Sequence, residues 1–196
     1  MINNPIEKMQ LDWQRATEQR DSNANVCMLA TTRNDQTSVR VLVLRDISER
    51  GLLIFINSSS PKWSQTEEVK GYEVLLYWPV LGLQYRVQGD WQEYGSQQLE
   101  QDWRKKPYEA KLLDMFYQQH KQSSVVPSRE YIKQEIVRLT AQYPNAADIP
   151  FPSSAKGIYL KPHRIEYWRL SPQDRLHHRY LYEIEKGNWR LQTLVP

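Results

Sequence analysis

The sequence predicts a mainly β protein of the α+β class, with a closed or partly closed antiparallel barrel at its centre. Short runs rich in β-branched and aromatic residues recur along the chain, and turn-type residues separate them, which favours antiparallel neighbours. The helical patterns form one block in the middle third instead of alternating with strands. A chain of 196 residues can bury one such core, so we expect a single domain over residues 1–196.

Local patterns predict each element in turn. A helix from Pro5 to about Arg20 opens the chain, because Asn4 is a good N-cap and proline suits the first helical position. A Ser-Pro pair predicts a short helix over residues 60–69, and helical periodicity marks an insertion at about residues 97–143. The predicted strands cover residues 26–31, 38–45, 52–57, 72–78, 83–94, 157–160, 164–170, 176–184 and 189–194.

Composition excludes several classes of protein. Hydrophobic residues make up 40% of the chain, which is too many for a disordered protein, and no apolar run is long enough to span a bilayer. The N-terminus has no signal or transit pattern, and the single cysteine, Cys27, excludes an internal disulfide, so we expect a cytoplasmic protein with Cys27 in its core. The net charge is only +3 and basic residues are interleaved with acidic ones, so we expect neither nucleic acid nor membrane as a partner.

The histidines do not form a metal motif. The four histidines show no HExxH or His-x-x-x-His spacing, and the adjacent His177 and His178 would face opposite ways on a strand. We therefore expect no metal. The sequence also lacks a glycine-rich phosphate loop and a recognisable Ser-His-Asp pattern.

The most informative stretch is Arg-Leu-His-His-Arg at residues 175–179. In the predicted strand 176–184, alternate side chains share a face, so Arg175, His177 and Arg179 would point the same way at spacings of about 6.5–7 Å. Two guanidiniums and an imidazole in such a row could bind an anionic ligand, with His178 on the opposite face.

A second basic pattern is the apolar strand bracketed by Arg40 and Arg45. A guanidinium at each end of a buried strand needs an anion or a carboxylate, and a phosphate-bearing ligand would satisfy both. Alternatively, the two arginines reach solvent or pair with Asp46 or Glu93. Strand parity places them on opposite faces, so they can serve one site only if the strand bends.

A third pattern, Asn-Ser-Ser-Ser-Pro-Lys at residues 57–62, places three hydroxyls and a lysine at the start of the predicted helix. Helix N-termini favour anions, so this turn could hold a phosphate group. The alternative is ordinary helix capping by serine before proline.

Taken in order, these motifs and several others resemble the pyridoxamine 5'-phosphate oxidase family over about residues 5–196. The motifs that carry the resemblance are residues 40–45, 55–62, 84–89, 122–123, 165–168, 175–179 and 194–196. The resemblance implies an FMN-binding split β-barrel, antiparallel and Greek-key-like, with peripheral helices. It also implies a homodimer with FMN at the interface, in which a segment of about residues 157–196 serves dimerisation and substrate binding.

The resemblance assigns a set of residues to the cofactor. Arg40 and Lys62 would hold the flavin phosphate, and the strand after Arg40 would run beside the flavin ring. The full cofactor set is Arg40, Val41, Leu42, Val43, Leu44, Arg45, Phe55, Ile56, Ser60, Lys62, Gln84, Gln122, Ser123, Trp168 and Arg179.

The resemblance also implies a reaction from vitamin B6 metabolism. A pyridoxine or pyridoxamine phosphate would give a hydride to FMN, which dioxygen would reoxidise, and the protein would supply orientation and electrostatics. Arg175 and His177 would act as catalytic and substrate-binding residues, with Arg45 and Lys106 as further substrate ligands.

Several positions depart from the family pattern. Pro61 stands where a basic residue is usual, and His178 replaces an aspartate. Asp102, Lys106 and Ala110 stand where the family supplies a tyrosine, an arginine and a serine to the substrate phosphate. An alternative hypothesis is therefore an FMN-binding protein of this fold without the oxidase activity: a flavin carrier, a sensor, or an enzyme for another small molecule. A basic nucleic-acid module is a third reading, which rests only on the pI and the aromatic residues.

Overall fold

The computed structural model describes residues 4–33, 36–60 and 72–196. The helix expected over residues 60–69 and the cofactor residue Lys62 lie outside the described residues. The described α-helices are α1 (Pro5–Glu18), α2 (Ser96–Arg104), α3 (Tyr108–Gln119) and α4 (Arg129–Gln142). The described strands are β1 (Val26–Arg33), β2 (Gln36–Ser48), β3 (Gly51–Asn57), β4 (Tyr72–Trp78), β5 (Leu83–Glu93), β6 (Ala155–Arg169), β7 (His178–Glu185) and β8 (Asn188–Thr193).

Six of these strands close into the antiparallel barrel that the sequence predicts. Their order is β3-β2-β1-β4-β5-β6, and β3 also pairs with β6, so the sheet closes on itself; β7 and β8 continue the sheet beyond β6. Alternate side chains of β4 and β5 point into the barrel, where Leu76, Trp78, Tyr85 and Val87 are fully buried. The predicted fold class, an antiparallel split barrel with additional helices, is confirmed.

The first helix begins as expected and ends earlier. The side chain of Asn4 accepts a hydrogen bond from the Ile6 amide at 3.0 Å, which is an N-cap, and proline occupies the first turn. The helix ends at Glu18 because Arg20, the predicted last residue, has a left-handed φ of 56° that a helix cannot contain.

The C-terminal part of the barrel corrects one expectation. The sequence analysis predicts two strands, at residues 157–160 and 164–170, with Pro162 between them. The structure instead has a single strand, β6, with Pro162 buried inside it. The neighbouring strand supplies Gly89 at this point, where a Cβ atom would lie 1.9 Å from the Lys161 carbonyl oxygen. The two backbones can approach this closely only because residue 89 is glycine.

The bracketed strand, β2, contains a β-bulge. Leu44 pairs with Ile54 and Asp46 pairs with Leu53, so Arg45 is the extra residue. Leu44 and Ile47 are both buried although three positions separate them. The bulge thus interrupts the alternation on which the opposite-face expectation for Arg40 and Arg45 depends.

The described residues fall into two compact units. The first contains residues 4–54, 72–92 and 158–196, and the second contains residues 55–60 and 93–157. The second unit has its own hydrophobic cluster, built on Trp103, Phe116 and Leu139. The single-domain organisation stays a prediction.

Candidate functional site

The Arg-Leu-His-His-Arg stretch is not a continuous strand. β7 begins at His178, so Arg175 and His177 lie in the connection between β6 and β7. The expectation that Arg175, His177 and Arg179 share one face of a strand is therefore wrong. Arg175 has a φ of 59°, in the left-handed region, which no strand residue adopts.

An aspartate turn explains this correction. The carboxylate of Asp174 accepts hydrogen bonds from the Leu176 amide at 2.9 Å and the Ser171 hydroxyl at 2.6 Å. These bonds hold the pKa of Asp174 below its usual range. An Asx turn of this kind competes with strand pairing, and it leaves the Arg175 side chain exposed at the corner.

His177 is held in a defined orientation at this corner. Its Nδ1 accepts a hydrogen bond from the Ser171 amide at 3.1 Å, and its ring lies 4.9 Å from the Trp168 ring. A backbone amide can only donate, so Nδ1 is the acceptor and the imidazole proton lies on Nε2. The arrangement leaves Nε2 as the nitrogen that can donate to a ligand.

Arg179 is fixed from two sides. Its Nε donates to a carboxylate oxygen of Glu166 at 2.9 Å, and its Nη1 donates to the carbonyl of Val195 at 3.3 Å. The Leu194 amide in turn donates to the Arg179 carbonyl at 2.8 Å. The end of the chain therefore lies beside Arg179. In the strand register, Arg179 is paired with Trp168.

Glu166 is the centre of a charged network that the sequence analysis missed. It is only 4% exposed, and besides Arg179 it accepts a bond from Arg86 on β5 at 3.4 Å. Arg86 also donates to Glu73 on β4, which holds the pKa of Glu73 below its usual range, and Gln88 donates to Glu73 at 3.0 Å. The available signal was an acid inside the apolar run of residues 165–168.

We call the face of the sheet that carries this network the polar face. On β6 and β7, this face includes Glu166, Trp168 and Arg179. Paired and alternate residues share a face, so the Arg86–Glu166 contact also places Gln84 on this side of β5. The structure thus brings Gln84, Trp168 and Arg179, three of the expected cofactor residues, to one face.

The β2 residues are also in the first unit. Arg40 is half-buried, its Nη1 donates to the Thr31 hydroxyl at 2.8 Å, and burial lowers the pKa of its guanidinium. Val39, Val41 and Val43 alternate with it and are 67%, 63% and 47% exposed. The strand presents a partly desolvated cation on one face and an open apolar stripe on the other.

The second unit holds the other expected cofactor residues. Ser60 is buried at the turn after β3, its amide donates to the Asn57 carbonyl at 3.0 Å, and the Phe55 ring lies 5.9 Å from Tyr94. Gln122 and Ser123 follow α3, and Ser123 has a φ of 72°. The expected cofactor and substrate residues therefore divide between the two units. They are Arg40, Val41, Leu42, Val43, Leu44, Arg45, Gln84, Trp168, Arg175, His177 and Arg179 in the first unit, and Phe55, Ile56, Ser60, Lys106, Gln122 and Ser123 in the second.

Lys106, the expected substrate cation, already has an anionic partner. Its ammonium lies 2.6 Å from the carboxylate of Asp114, which also accepts a bond from the Trp103 indole at 2.7 Å. Asp102 is bound by the Tyr94 hydroxyl and by Lys105, each at 2.7 Å. The charges of this helical segment are therefore largely neutralised within it.

Three negative expectations concern other kinds of chemistry. Cys27 is fully buried and burial raises the pKa of its thiol to about 12, which confirms it as a core residue. Among the described residues, no three His, Cys, Asp or Glu side chains are grouped so that they could hold a metal ion. No described helix has both the length and the apolar character needed to span a membrane.

Comparison with known proteins adds a family context. The family model described as pyridoxamine 5'-phosphate oxidase matches residues 15–143. The pyridoxine/pyridoxamine 5'-phosphate oxidase of Aliarcobacter butzleri is 31% identical over 195 residues, which cover 98% of this chain and 90% of that protein. The enzyme of the same description from Gloeothece citriformis is 29% identical and also covers 98% of this chain and 89% of the relative.

Solved structures agree with this context. The structure of PhzG from Burkholderia lata, in complex with tetrahydrophenazine-1-carboxylic acid, is similar with a TM-score of 0.87 and 27% identity, covering 99% of this chain and 93% of that one. A pyridoxamine 5'-phosphate oxidase-related, FMN-binding protein from Nostoc punctiforme has a TM-score of 0.75 at 18% identity over the full length of both chains, which shows a shared fold.

Proposed function

Because the chain belongs to the pyridoxamine 5'-phosphate oxidase family, we propose that it is an FMN-dependent oxidoreductase. The proposed reaction transfers a hydride from a pyridoxine or pyridoxamine phosphate-like substrate to FMN, with reoxidation by dioxygen. The observation that carries the proposal is the corner at β6 and β7, where His177, whose ring lies against Trp168, and Arg179, the cross-strand pair of Trp168, are held in fixed orientations. A pre-oriented cation and a pre-oriented imidazole donor are what orientation of a flavin and a substrate requires.

The residues of the first unit fit an anionic flavin. Arg40 keeps a partly desolvated guanidinium, which an anion such as the FMN phosphate would stabilise. Arg179 and Gln84 offer hydrogen bonds to a heteroaromatic ring from the polar face, and Trp168 offers an aromatic edge there. When bound, FMN would supply the hydride acceptor, and the protein would supply position and electrostatics.

Arg175 and His177 are the proposed substrate residues. The Arg175 guanidinium is exposed at the corner and forms no ion pair with a described residue, so it can meet an anionic group of the substrate. His177 would donate from Nε2, because the Ser171 amide occupies Nδ1. Both roles are independent of the strand alternation that the sequence suggested.

The valine stripe of β2 supports a homodimer. Val39, Val41 and Val43 expose roughly half or more of their surface in a row, which is costly for a solvated strand and suits a second copy of the chain. We propose that this face forms the dimer interface and that FMN binds at its edge, because Arg40 points to the opposite face of β2. Analytical ultracentrifugation of the Val41→Lys variant should show monomers in place of dimers.

The direct test of the reaction is aerobic turnover. The FMN-loaded protein, given pyridoxine phosphate or pyridoxamine phosphate, should yield pyridoxal phosphate and hydrogen peroxide in equal amounts. Absence of product from a fully loaded protein would remove this substrate but not the flavin, and would leave a flavin carrier or sensor as the better hypothesis.

A second candidate substrate is an acid without a phosphate group. One observation favours it: Lys106, the cation that the resemblance assigns to the substrate phosphate, is already paired with Asp114. The similar PhzG is described with tetrahydrophenazine-1-carboxylic acid, a carboxylic acid. Anaerobic bleaching of the flavin absorbance by a reduced heteroaromatic carboxylic acid, but not by pyridoxine phosphate, would favour this candidate.

A further inference from the structure

The face of β6, β7 and β8 opposite the polar face lines a half-open cavity of about 540 Å³ that the proposed oxidoreductase site does not use. Its size is within the ordinary range for small-molecule sites. The residues that line it are Lys8, Tyr167, Arg169, His178, Tyr180, Tyr182, Leu191 and Thr193. We call these residues the tyrosine face.

The strand register explains why they meet. Tyr167 is paired with Tyr180, which is paired with Thr193, so one row of side chains crosses all three strands on the same side. Arg169 and His178 form the next cross-strand pair. Because successive side chains alternate, Trp168 and Arg179 point away from this cavity.

The cavity has an aromatic wall. The rings of Tyr167 and Tyr180 are stacked with centroids 6.0 Å apart and planes inclined by 14°, and His178 is stacked on Tyr180 at 6.3 Å. Tyr167 is only 4% exposed, and Tyr85 supports it from inside the barrel at 5.2 Å. Parallel planes that are fixed from behind present a flat surface on which another aromatic ring can stack.

Basic side chains surround this wall, and none of its described lining residues is acidic. The Lys8 ammonium lies 4.1 Å from the centre of the Tyr167 ring and is oriented by the buried Asp12 at 2.6 Å. Arg169 is exposed and makes no side-chain hydrogen bond or ion pair with a described residue. His178 adds an imidazole beside it.

We propose that the tyrosine face is a second ligand site, distinct from the flavin site, that binds a planar aromatic acid with its ring stacked against Tyr180 and its anionic group on Arg169 and His178. The stacked rings select a flat molecule, and the basic rim selects an anion. His178 is central because an aspartate here would place a negative charge at the anion position. The proposal is independent of the oxidoreductase function, since it uses the opposite face of the sheet.

The test uses full-length protein loaded with FMN and two fluorescent probes, 1-naphthoate and 1-naphthyl phosphate, with uncharged 1-naphthalenemethanol as the control. At least one anionic probe should bind saturably with one site per chain and without releasing FMN. The tighter of the two identifies the anion as carboxylate or phosphate.

Three variants locate the site. Arg169→Gln should weaken binding of the anionic probe about tenfold, in the range expected for a lost charge-assisted hydrogen bond, and His178→Asp should weaken it further. Arg190→Gln is the matched control, because it removes the same charge from the other side of β8, where Arg190 pairs with Glu185. These side chains are exposed, so the folded state should be retained in all three variants.

Several results would overturn the proposal. They are no saturable binding to the FMN-loaded protein, equal binding of the uncharged probe, displacement of FMN by the probe, and equal weakening by Arg169→Gln and Arg190→Gln. A crystal of the FMN-loaded protein soaked with the bound probe should show the naphthalene ring against Tyr180.

Discussion

The two faces of the β6–β7–β8 sheet both carry an arginine and aromatic rings. They differ in whether the arginine has an anionic partner. On the polar face, Arg179 shares the buried carboxylate of Glu166 with Arg86, so these arginines are held by hydrogen bonds. On the tyrosine face, Arg169 has no anionic partner among the described residues and lies beside stacked rings. Register alone separates the two environments, since Trp168 and Arg169 are sequence neighbours that point to opposite sides.

This difference suggests how each face works. A cation with a buried partner is fixed in position and can orient a ligand with little loss of side-chain freedom. A cation without a partner gains most when an anion arrives, because its charge is then compensated. The polar face is thus suited to orienting a tightly bound cofactor, and the tyrosine face to exchanging a small acid.

The largest effect on stability should come from Glu166→Ala. The substitution leaves Arg86 and Arg179 without their shared partner, and their side chains are 37% and 33% exposed, so partial hydration limits the loss to about 2 kcal/mol. Urea unfolding measures it. The control Glu183→Ala removes the more exposed partner of Arg164 and should cost about 0.5 kcal/mol. Equal losses would mean that the buried network contributes no more than a surface pair.

Arg175→Ala and His177→Ala should each reduce kcat/KM about 100-fold, because a positioned donor or cation is lost from the reacting end of the substrate. The flavin content of both variants should stay near that of the unsubstituted protein. Measured turnover and bound flavin give the two readouts. Loss of flavin with unchanged turnover per flavin would mean that these residues belong to cofactor binding.

Arg179→Gln should weaken FMN binding about tenfold, whereas Arg169→Gln should leave it unchanged, because only Arg179 lies on the polar face. Arg40→Gln should weaken it to a similar degree, with little effect on turnover of the protein that retains flavin. Fluorescence titration of apoprotein with FMN measures these affinities. A matching loss in Arg169→Gln would remove the functional distinction between the two faces.

The smallest expected effect concerns pH. Hydrogen bonds from Arg86 lower the pKa of Glu73 below its ordinary value of 4.5. The Arg86–Glu73 pair therefore stabilises the folded state above pH 4.5. This stabilisation is lost as the pH falls through the lower pKa that Glu73 has in the folded state. When the pH is lowered from about 6 to about 3, the free energy of unfolding should fall by about 0.5 kcal/mol more in the unsubstituted protein than in Glu73→Gln. Identical pH profiles would contradict this assignment.

Much of the barrel could be predicted from the sequence because its strands carry strong local signals. Alternating apolar residues and turn-type connections marked β1 to β5, and Asn4 with Pro5 marked the start of α1. The division of β6 was wrong because the tolerance for Pro162 depends on Gly89 in the neighbouring strand, which no local pattern reveals.

The site could be predicted only in part. The prediction that Arg175, His177 and Arg179 form a row on one strand was wrong, because Asp174 forms a turn there. The residue of this turn with a left-handed φ is Arg175, and not a glycine. Glu166 was missed because its partners, Arg86 and Arg179, come from other strands and are defined by register. Roles assigned from the resemblance, the homodimer and a cytoplasmic location stay predictions.

Identification of the bound cofactor decides whether this protein is an FMN-dependent flavoprotein. The protein purified from cells, or reconstituted with excess FMN and then desalted, should be yellow, and denaturation should release FMN in a ratio of about one per chain by absorption and mass. Release of a deazaflavin or haem, or failure to retain any FMN after reconstitution of the folded protein, would show that FMN is not its cofactor.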